Sequence, residues 1–322
     1  MQTAFVFPGQ GSQAVGMGKA LAQNYAAARR VFAQVDSALG QNLSGLMFEG
    51  PEAELTLTAN AQPALMAVSL AASRVLETEA GLDVARDARF VAGHSLGEYS
   101  ALAAAGALTI EDAARLLRIR GNAMQSAVPP GAGAMAALIG LDFAQASAIA
   151  AQAASDLGSL GGVCQAANDN GGGQVVISGT RAAVERAIEL ARAGGAKRAM
   201  ALPVSAPFHC ALMQPAADAM TAALAGIVIK PPRPPLVANV SATAIDDPAE
   251  IRGSLVAQVT GAVRWRESIL YMARQGVANF VELGAGKVLS GLIRRIAEGA
   301  TCVSVGAPPD VEAFKAARAY QT

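Results

Sequence analysis

Phe90-Val91-Ala92-Gly93-His94-Ser95-Leu96-Gly97 decides the fold. Three apolar residues end at a glycine, a G-x-S-x-G motif follows, and a small-residue helix is predicted from about 96 to 106. The glycines let the backbone turn sharply from strand to helix, which holds the serine hydroxyl out in front of a sheet. Ser95 also sits at the start of the helix, where backbone N–H groups stabilise developing negative charge. The bland alternative is a glycine-bracketed turn whose serine caps a helix. The strand–turn–helix setting favours Ser95 as a nucleophile.

The pattern continues on both sides. Thr3 to Phe7 reads as a strand running into Pro8-Gly9-Gln10-Gly11-Ser12, with helical patterns at 17–39 and 62–79. This alternation predicts an α/β fold with a mainly parallel sheet. A helix from Thr109 to Ala127 has Thr109 as cap and Asp112 in capping-box position, and Val128-Pro129-Pro130-Gly131 ends it at a natural boundary. Strand patterns at 133–139, 162–168, 174–179 and 197–202 then alternate with helices at 142–156 and 180–193. That β-α-β-β-α-β order predicts a ferredoxin-like insertion. After Pro203 come a helix near 211–225, a strand from Leu236 to Val240, the segment VAQVTGAVRW leading into another helix, and a strand from Asn279 to Leu283. The expected divisions are 1–130 and 205–322 for a large domain and 131–204 for a small subdomain.

With 52% hydrophobic and 16% charged residues, the 322-residue chain reads as globular. Its 25 basic and 25 acidic residues cancel, which gives no support to broad nucleic-acid binding. Cys164, Cys210 and Cys302 are odd in number and far apart, so no metal site is expected and a reduced cytoplasmic setting fits. The start, MQTAFVFPGQGSQ, lacks the basic region of a signal peptide. Mean hydropathy is +0.34, but no unbroken run of 18 apolar residues suggests a membrane span.

Only two histidines, His94 and His209, are available as a general base. His94 neighbours the nucleophile and should point away from it. His209 lies in the proline-constrained loop Ser205-Ala206-Pro207-Phe208-His209-Cys210, and a distant loop is the usual source of a base in this architecture. A lone histidine elsewhere would more often be structural. For a third member, Asp246, Asp247 and Glu282 are available, or a backbone or amide carbonyl could hold the imidazole tautomer. Arg120 lies on the apolar face of its helix, between Leu117 and Met124, where an unpaired charge is costly. It could snorkel over the core or pair structurally. It could equally be a buried fork awaiting a carboxylate.

Taken together, the motifs resemble those of the malonyl-CoA:acyl carrier protein transacylases. They are Gly9-Gln10-Gly11-Ser12-Gln13, Gln62-Pro63-Ala64, Gly93-His94-Ser95-Leu96-Gly97-Glu98-Tyr99, Arg120-Gly121, Gly133-Ala134-Met135, Gly173-Gln174-Val175-Val176, Phe208-His209, Val263-Arg264-Trp265 and Gly286-Lys287-Val288-Leu289. The resemblance runs from about residue 3 to 296. It implies an α/β-hydrolase-like large domain with a parallel sheet, an inserted ferredoxin-like small subdomain, and a site in the cleft between them. Ser95 and His209 would be catalytic, with the backbone N–H groups of Gln10 and Leu96 as oxyanion hole. Arg120 would bind the substrate carboxylate, Met124 and Phe208 would line the acyl pocket, and the neighbourhood of Gln258 would orient the histidine. Phe208 is also the residue found in malonyl-selecting relatives. Ala262 stands where proline is common, and Asn168-Asp169-Asn170-Gly171-Gly172-Gly173 is richer in glycine than usual.

The implied reaction is ping-pong transfer from malonyl-CoA to the phosphopantetheine of acyl carrier protein, with no permanently bound cofactor, no metal, no nucleic acid and no membrane. A monomer is expected. The rival readings are a serine esterase or thioesterase, a non-catalytic binding domain, and the same transfer in polyketide synthesis or malonate decarboxylation.

Overall fold

The computed structural model describes residues 2–158 and 162–319. Met1, 159–161 and 320–322, which fall within the expected domain limits, lie outside the described residues. The strands among the described residues are β1 (Gln2–Phe7), β2 (Phe90–Gly93), β3 (Gly133–Ile139), β4 (Cys164–Asp169), β5 (Gln174–Thr180), β6 (Arg198–Ala201), β7 (Leu236–Val237), β8 (Ala244–Ile245), β9 (Val277–Leu283) and β10 (Thr301–Val305).

The larger sheet has the order β10-β9-β1-β2-β7-β8, parallel except for the β7–β8 edge pair. Helices cover both faces, so the successive residues of the central strands, Ala4–Phe7 and Phe90–Ala92, are apolar throughout but belong to different cores. Phe5, Phe7 and Val91 pack into one cluster, and Ala4, Val6, Phe90 and Ala92 into the other. The smaller sheet is antiparallel with order β4-β5-β3-β6, and the helices Phe143–Asp156 and Arg181–Ala193 bury their apolar sides on it. This is the ferredoxin-like arrangement on an α/β-hydrolase-like body.

Several elements differ from expectation. The 17–39 pattern is two helices, Lys19–Asn24 and Ala26–Leu39, separated by an extended Tyr25. Asn24 Nδ2 donates back to the Ala20 carbonyl, a local bond that competes with helix continuation. The 62–79 helix begins earlier, at Thr58, and runs through Pro63 to Ala80. Pro63 therefore marks no start; the preceding turn is held by packing, since a Cβ on Gly121 would lie 2.6 Å from Ala59 Cα. Only half of the capping box at Thr109 forms among the described residues, its hydroxyl accepting from Asp112 N–H. The strand from Leu236 to Val240 stops at Val237, because the Asn239 backbone leaves the sheet to donate to Glu98. Among the described residues no helix is long and apolar enough to cross a membrane.

β1 and β2 are adjacent and in register, Phe7 opposite Gly93, so the loops carrying Gln10 and Ser95 leave the same edge side by side. Crevices at the carboxyl ends of parallel strands are where α/β proteins bind ligands. The approach is tight: a Cβ on Gly97 would fall 2.2 Å from the Phe7 carbonyl oxygen, with no flexible side chain to yield. Gly97→Ala is expected to cost about 3 kcal/mol, at the upper end of overpacking effects. Urea denaturation measures it, and a wild-type midpoint would show that the two loops have slack.

Candidate active site

Ser95 has φ 53° and His209 has φ 60°, both left-handed conformations that side-chain-bearing residues seldom adopt. Such strain persists only where surroundings over-determine it. At Ser95 those surroundings are identifiable. Its N–H donates to Asn239 Oδ1 at 2.8 Å, its carbonyl accepts from Gln258 Nε2 at 2.9 Å, and Asn239 Nδ2 donates to the Gly93 carbonyl at 2.7 Å. The elbow is thus clamped by amides from two other segments.

The turn brings Ser95 Oγ to 2.8 Å from His209 Nε2. His209 Nδ1 lies 2.8 Å from the Gln258 carbonyl oxygen and 3.2 Å from that of Gly261. Carbonyls only accept, so Nδ1 carries the proton and Nε2 presents its lone pair to the serine hydroxyl. Among the described residues no carboxylate occupies the third position. Glu282 instead accepts from Leu289 N–H and Ser290 N–H at the start of a helix, and Asp247 caps the helix Pro248–Thr260. Burial, then the nearby Arg120 charge, pushes the His209 imidazole down to about 3, so it rests neutral.

Arg120 is 1% exposed and comes up from the helix Ile110–Ser126. Its Nη1 donates to Gln62 Oε1 at 2.7 Å, and its Nη2 donates to Ser95 Oγ at 3.0 Å and to Gln258 Oε1 at 2.8 Å. Its Nε is buried with no acceptor among the described residues. Met124 lies one turn further along, its Sδ 3.7 Å from Gln62 Nε2, and Phe208 is buried in the same apolar cluster. The Gln10 side chain is tied through Thr58 to Gln62, Thr58 Oγ1 donating to Gln10 Oε1 and Gln62 Nε2 to Thr58 Oγ1. Neither the Gln10 nor the Leu96 backbone N–H has a protein acceptor among the described residues. His94 points away from Ser95, its Nε2 2.9 Å from Asn170 Oδ1 and its ring beside Trp265.

The sequence reading gave no role to three participants: Gln62 and Glu98, which appear only within the motifs, and Asn239, which appears in none of them. Each is a polar residue fully enclosed within an apolar stretch, which is the signal that could have found them. Glu98 accepts from Asn239 N–H and Gln258 Nε2. Burial raises its carboxyl to about 8 against the pull of those two donors and Arg120.

A serine oxygen facing a neutral imidazole, beside a buried guanidinium and two free N–H groups, can transfer an acyl group that carries an anion. The comparisons agree with that chemistry. The family model for the acyl transferase domain matches residues 4–322. The malonyl CoA-acyl carrier protein transacylase of Bacillus subtilis (strain 168) is 47% identical over 309 residues, 96% of this chain and 95% of that protein. That of Escherichia coli (strain K12) is 47% identical over 307 residues, 95% of this chain and 96% of its own length. The crystal structure of the acyl-carrier-protein-S-malonyltransferase from Bartonella henselae superposes with a TM-score of 0.95 at 56% identity, covering 99% of this chain and all of that one. On fold, family model and relatives together, the chain belongs to the malonyl-CoA:acyl carrier protein transacylases.

Proposed function

We infer that the protein moves a malonyl group from malonyl-CoA to the phosphopantetheine thiol of acyl carrier protein, through an ester on Ser95, and so supplies fatty acid biosynthesis. The observation that carries this reading is Arg120, a buried guanidinium whose Nη2 is 3.0 Å from Ser95 Oγ and whose Nε has no partner among the described residues. A plain esterase or thioesterase gains nothing from a desolvated cation there, whereas an acyl group ending in a carboxylate does.

His209 Nε2 takes the Ser95 proton as Oγ attacks the thioester carbon. The oxyanion is received by the N–H groups of Gln10 and Leu96. Collapse expels coenzyme A, whose sulfur recovers the proton from His209, and the carrier thiol runs the steps in reverse. After burial, the Arg120 charge is what holds the His209 imidazole down, so Arg120 opposes formation of an imidazolium. A malonyl carboxylate on the guanidinium offsets that charge, so the correct substrate strengthens the base as it binds. The acyl pocket is bounded by Met124 and Phe208. The segment 131–204 is an inserted subdomain on a body made by 1–130 and 205–322, supported by the separate antiparallel sheet from Gly133 to Ala201. The cytoplasm is the compartment, a reading supported by three unpaired cysteines.

Intact-mass analysis after mixing with malonyl-CoA is expected to show one malonyl adduct, discharged by holo acyl carrier protein. An adduct that the carrier cannot remove, or none at all, would overturn the transfer reaction.

A further inference from the structure

Arg120 is a buried cation, yet no carboxylate among the described residues pairs with it directly. Its charge is balanced at one remove. Arg120 Nη2 donates to Gln258 Oε1 at 2.8 Å, and the Nε2 of the same amide donates to the carboxylate of Glu98, which is wholly buried. Both Glu98 oxygens accept from N–H donors, the bonding pattern of a carboxylate, so although burial pushes this group up, its hydrogen bonds favour an anion held one amide away from the guanidinium. A direct pair would occupy the guanidinium edge, whereas the bridged one leaves Nε without an acceptor among the described residues.

Gln258 could present its amide either way round, and its neighbours decide. Nε2 meets two acceptors, the Glu98 carboxylate and the Ser95 carbonyl, so Oε1 is left facing Arg120. The other Glu98 oxygen accepts from Asn239 N–H, whose side chain holds the elbow. His209 is held by the Gln258 backbone oxygen, so turning the side-chain amide over does not remove its support.

We propose that Glu98 is a positioning residue for substrate selection: through Gln258 it orients Arg120 and balances its charge while leaving the guanidinium open to an incoming acyl carboxylate. This rests on the reading of Arg120 as the carboxylate clamp. Glu98 touches no reacting atom. It acts on which acyl group is accepted.

Glu98→Gln tests this. The new amide still accepts from Asn239 N–H, but its NH2 faces Gln258 Nε2, donor against donor. Gln258 then turns its own NH2 toward Arg120, and the clamp loses both its acceptor and its counter-charge. Malonyl kcat/KM is expected to fall by about tenfold or more while acetyl kcat/KM changes by less than about threefold. In an Arg120→Ala background the same change should leave the malonyl-to-acetyl ratio alone. Equal losses for both substrates, or a ratio shift that persists without Arg120, would overturn the proposal by showing a general effect on the elbow. Should Glu98→Gln fail to fold, Glu98→Asp withdraws the carboxylate by one methylene and is read by the same ratio: a fall supports the proposal and an unchanged ratio overturns it. The two readings fail separately. An unselective Arg120→Ala sinks the clamp itself, while a selective Arg120→Ala beside an unselective Glu98→Gln sinks only the role of Glu98.

Discussion

Ser95→Ala is expected to eliminate the malonyl-enzyme and to lower transfer by at least about 10⁴-fold, the scale on which serine–histidine sites fail when the nucleophile is removed. Little else should change. The bonds that hold the elbow are made by the Ser95 backbone, its N–H to Asn239 and its carbonyl to Gln258, and alanine keeps both. Arg120 Nη2 loses Oγ but retains Gln258 Oε1, so the stability cost should be about 1 kcal/mol. The measurement is intact mass after exposure to malonyl-CoA, beside a thermal melt. A malonyl adduct on the Ser95→Ala protein would remove Ser95 as the nucleophile. So would near-normal turnover in a well-folded variant.

Arg120→Ala should divide the substrates. With malonyl-CoA the variant loses a charge-assisted pair, and a fall in kcat/KM of about 10²–10³-fold is expected. With acetyl-CoA there is no carboxylate to miss, and the same change removes a cation that holds the His209 imidazole down. Acetyl transfer should therefore hold or rise. Arg120→Lys should recover little for malonyl-CoA, since an ammonium cannot reach Gln62, Gln258 and a substrate carboxylate in one plane. Both rates are measured with one carrier protein. An equal fractional loss for the two substrates, at unchanged stability, would mean that Arg120 supports the site without reading the acyl group.

What could be read from the residues alone follows a physical divide. Local patterns were legible: an apolar strand, a glycine-bracketed serine and a helix in succession name an elbow wherever the rest of the chain goes. The order of strands and helices between 131 and 204 likewise implied a ferredoxin-like unit, because that order admits few sheets. A scarcity of histidines left His209 as the partner for Ser95, and the structure brings the two within hydrogen-bond reach. Long-range polar contacts were not legible. Asn239 and Glu98 are 141 positions apart, and Gln258 is 160 from Glu98. Nothing in periodicity joins them, and the apparent strand through Val240 hid the point at which the backbone leaves the sheet. The 62–79 pattern fell short for a related reason, since tertiary packing extends that helix back to Thr58, through Pro63.

The two sheets are not independent bodies. At the end of β4, Asp169 N–H donates to the Val263 carbonyl at 2.9 Å and Val263 N–H to the Ala167 carbonyl at 2.8 Å, with Arg266 Nε on Asp169 at 2.8 Å. Two residues before Val263 is Gly261, one of the carbonyls on His209 Nδ1. A rotation of the smaller sheet would pull, through this splice, on the carbonyls that face His209 Nδ1. The smaller sheet is therefore spliced, backbone to backbone, to the segment whose carbonyls face His209 Nδ1.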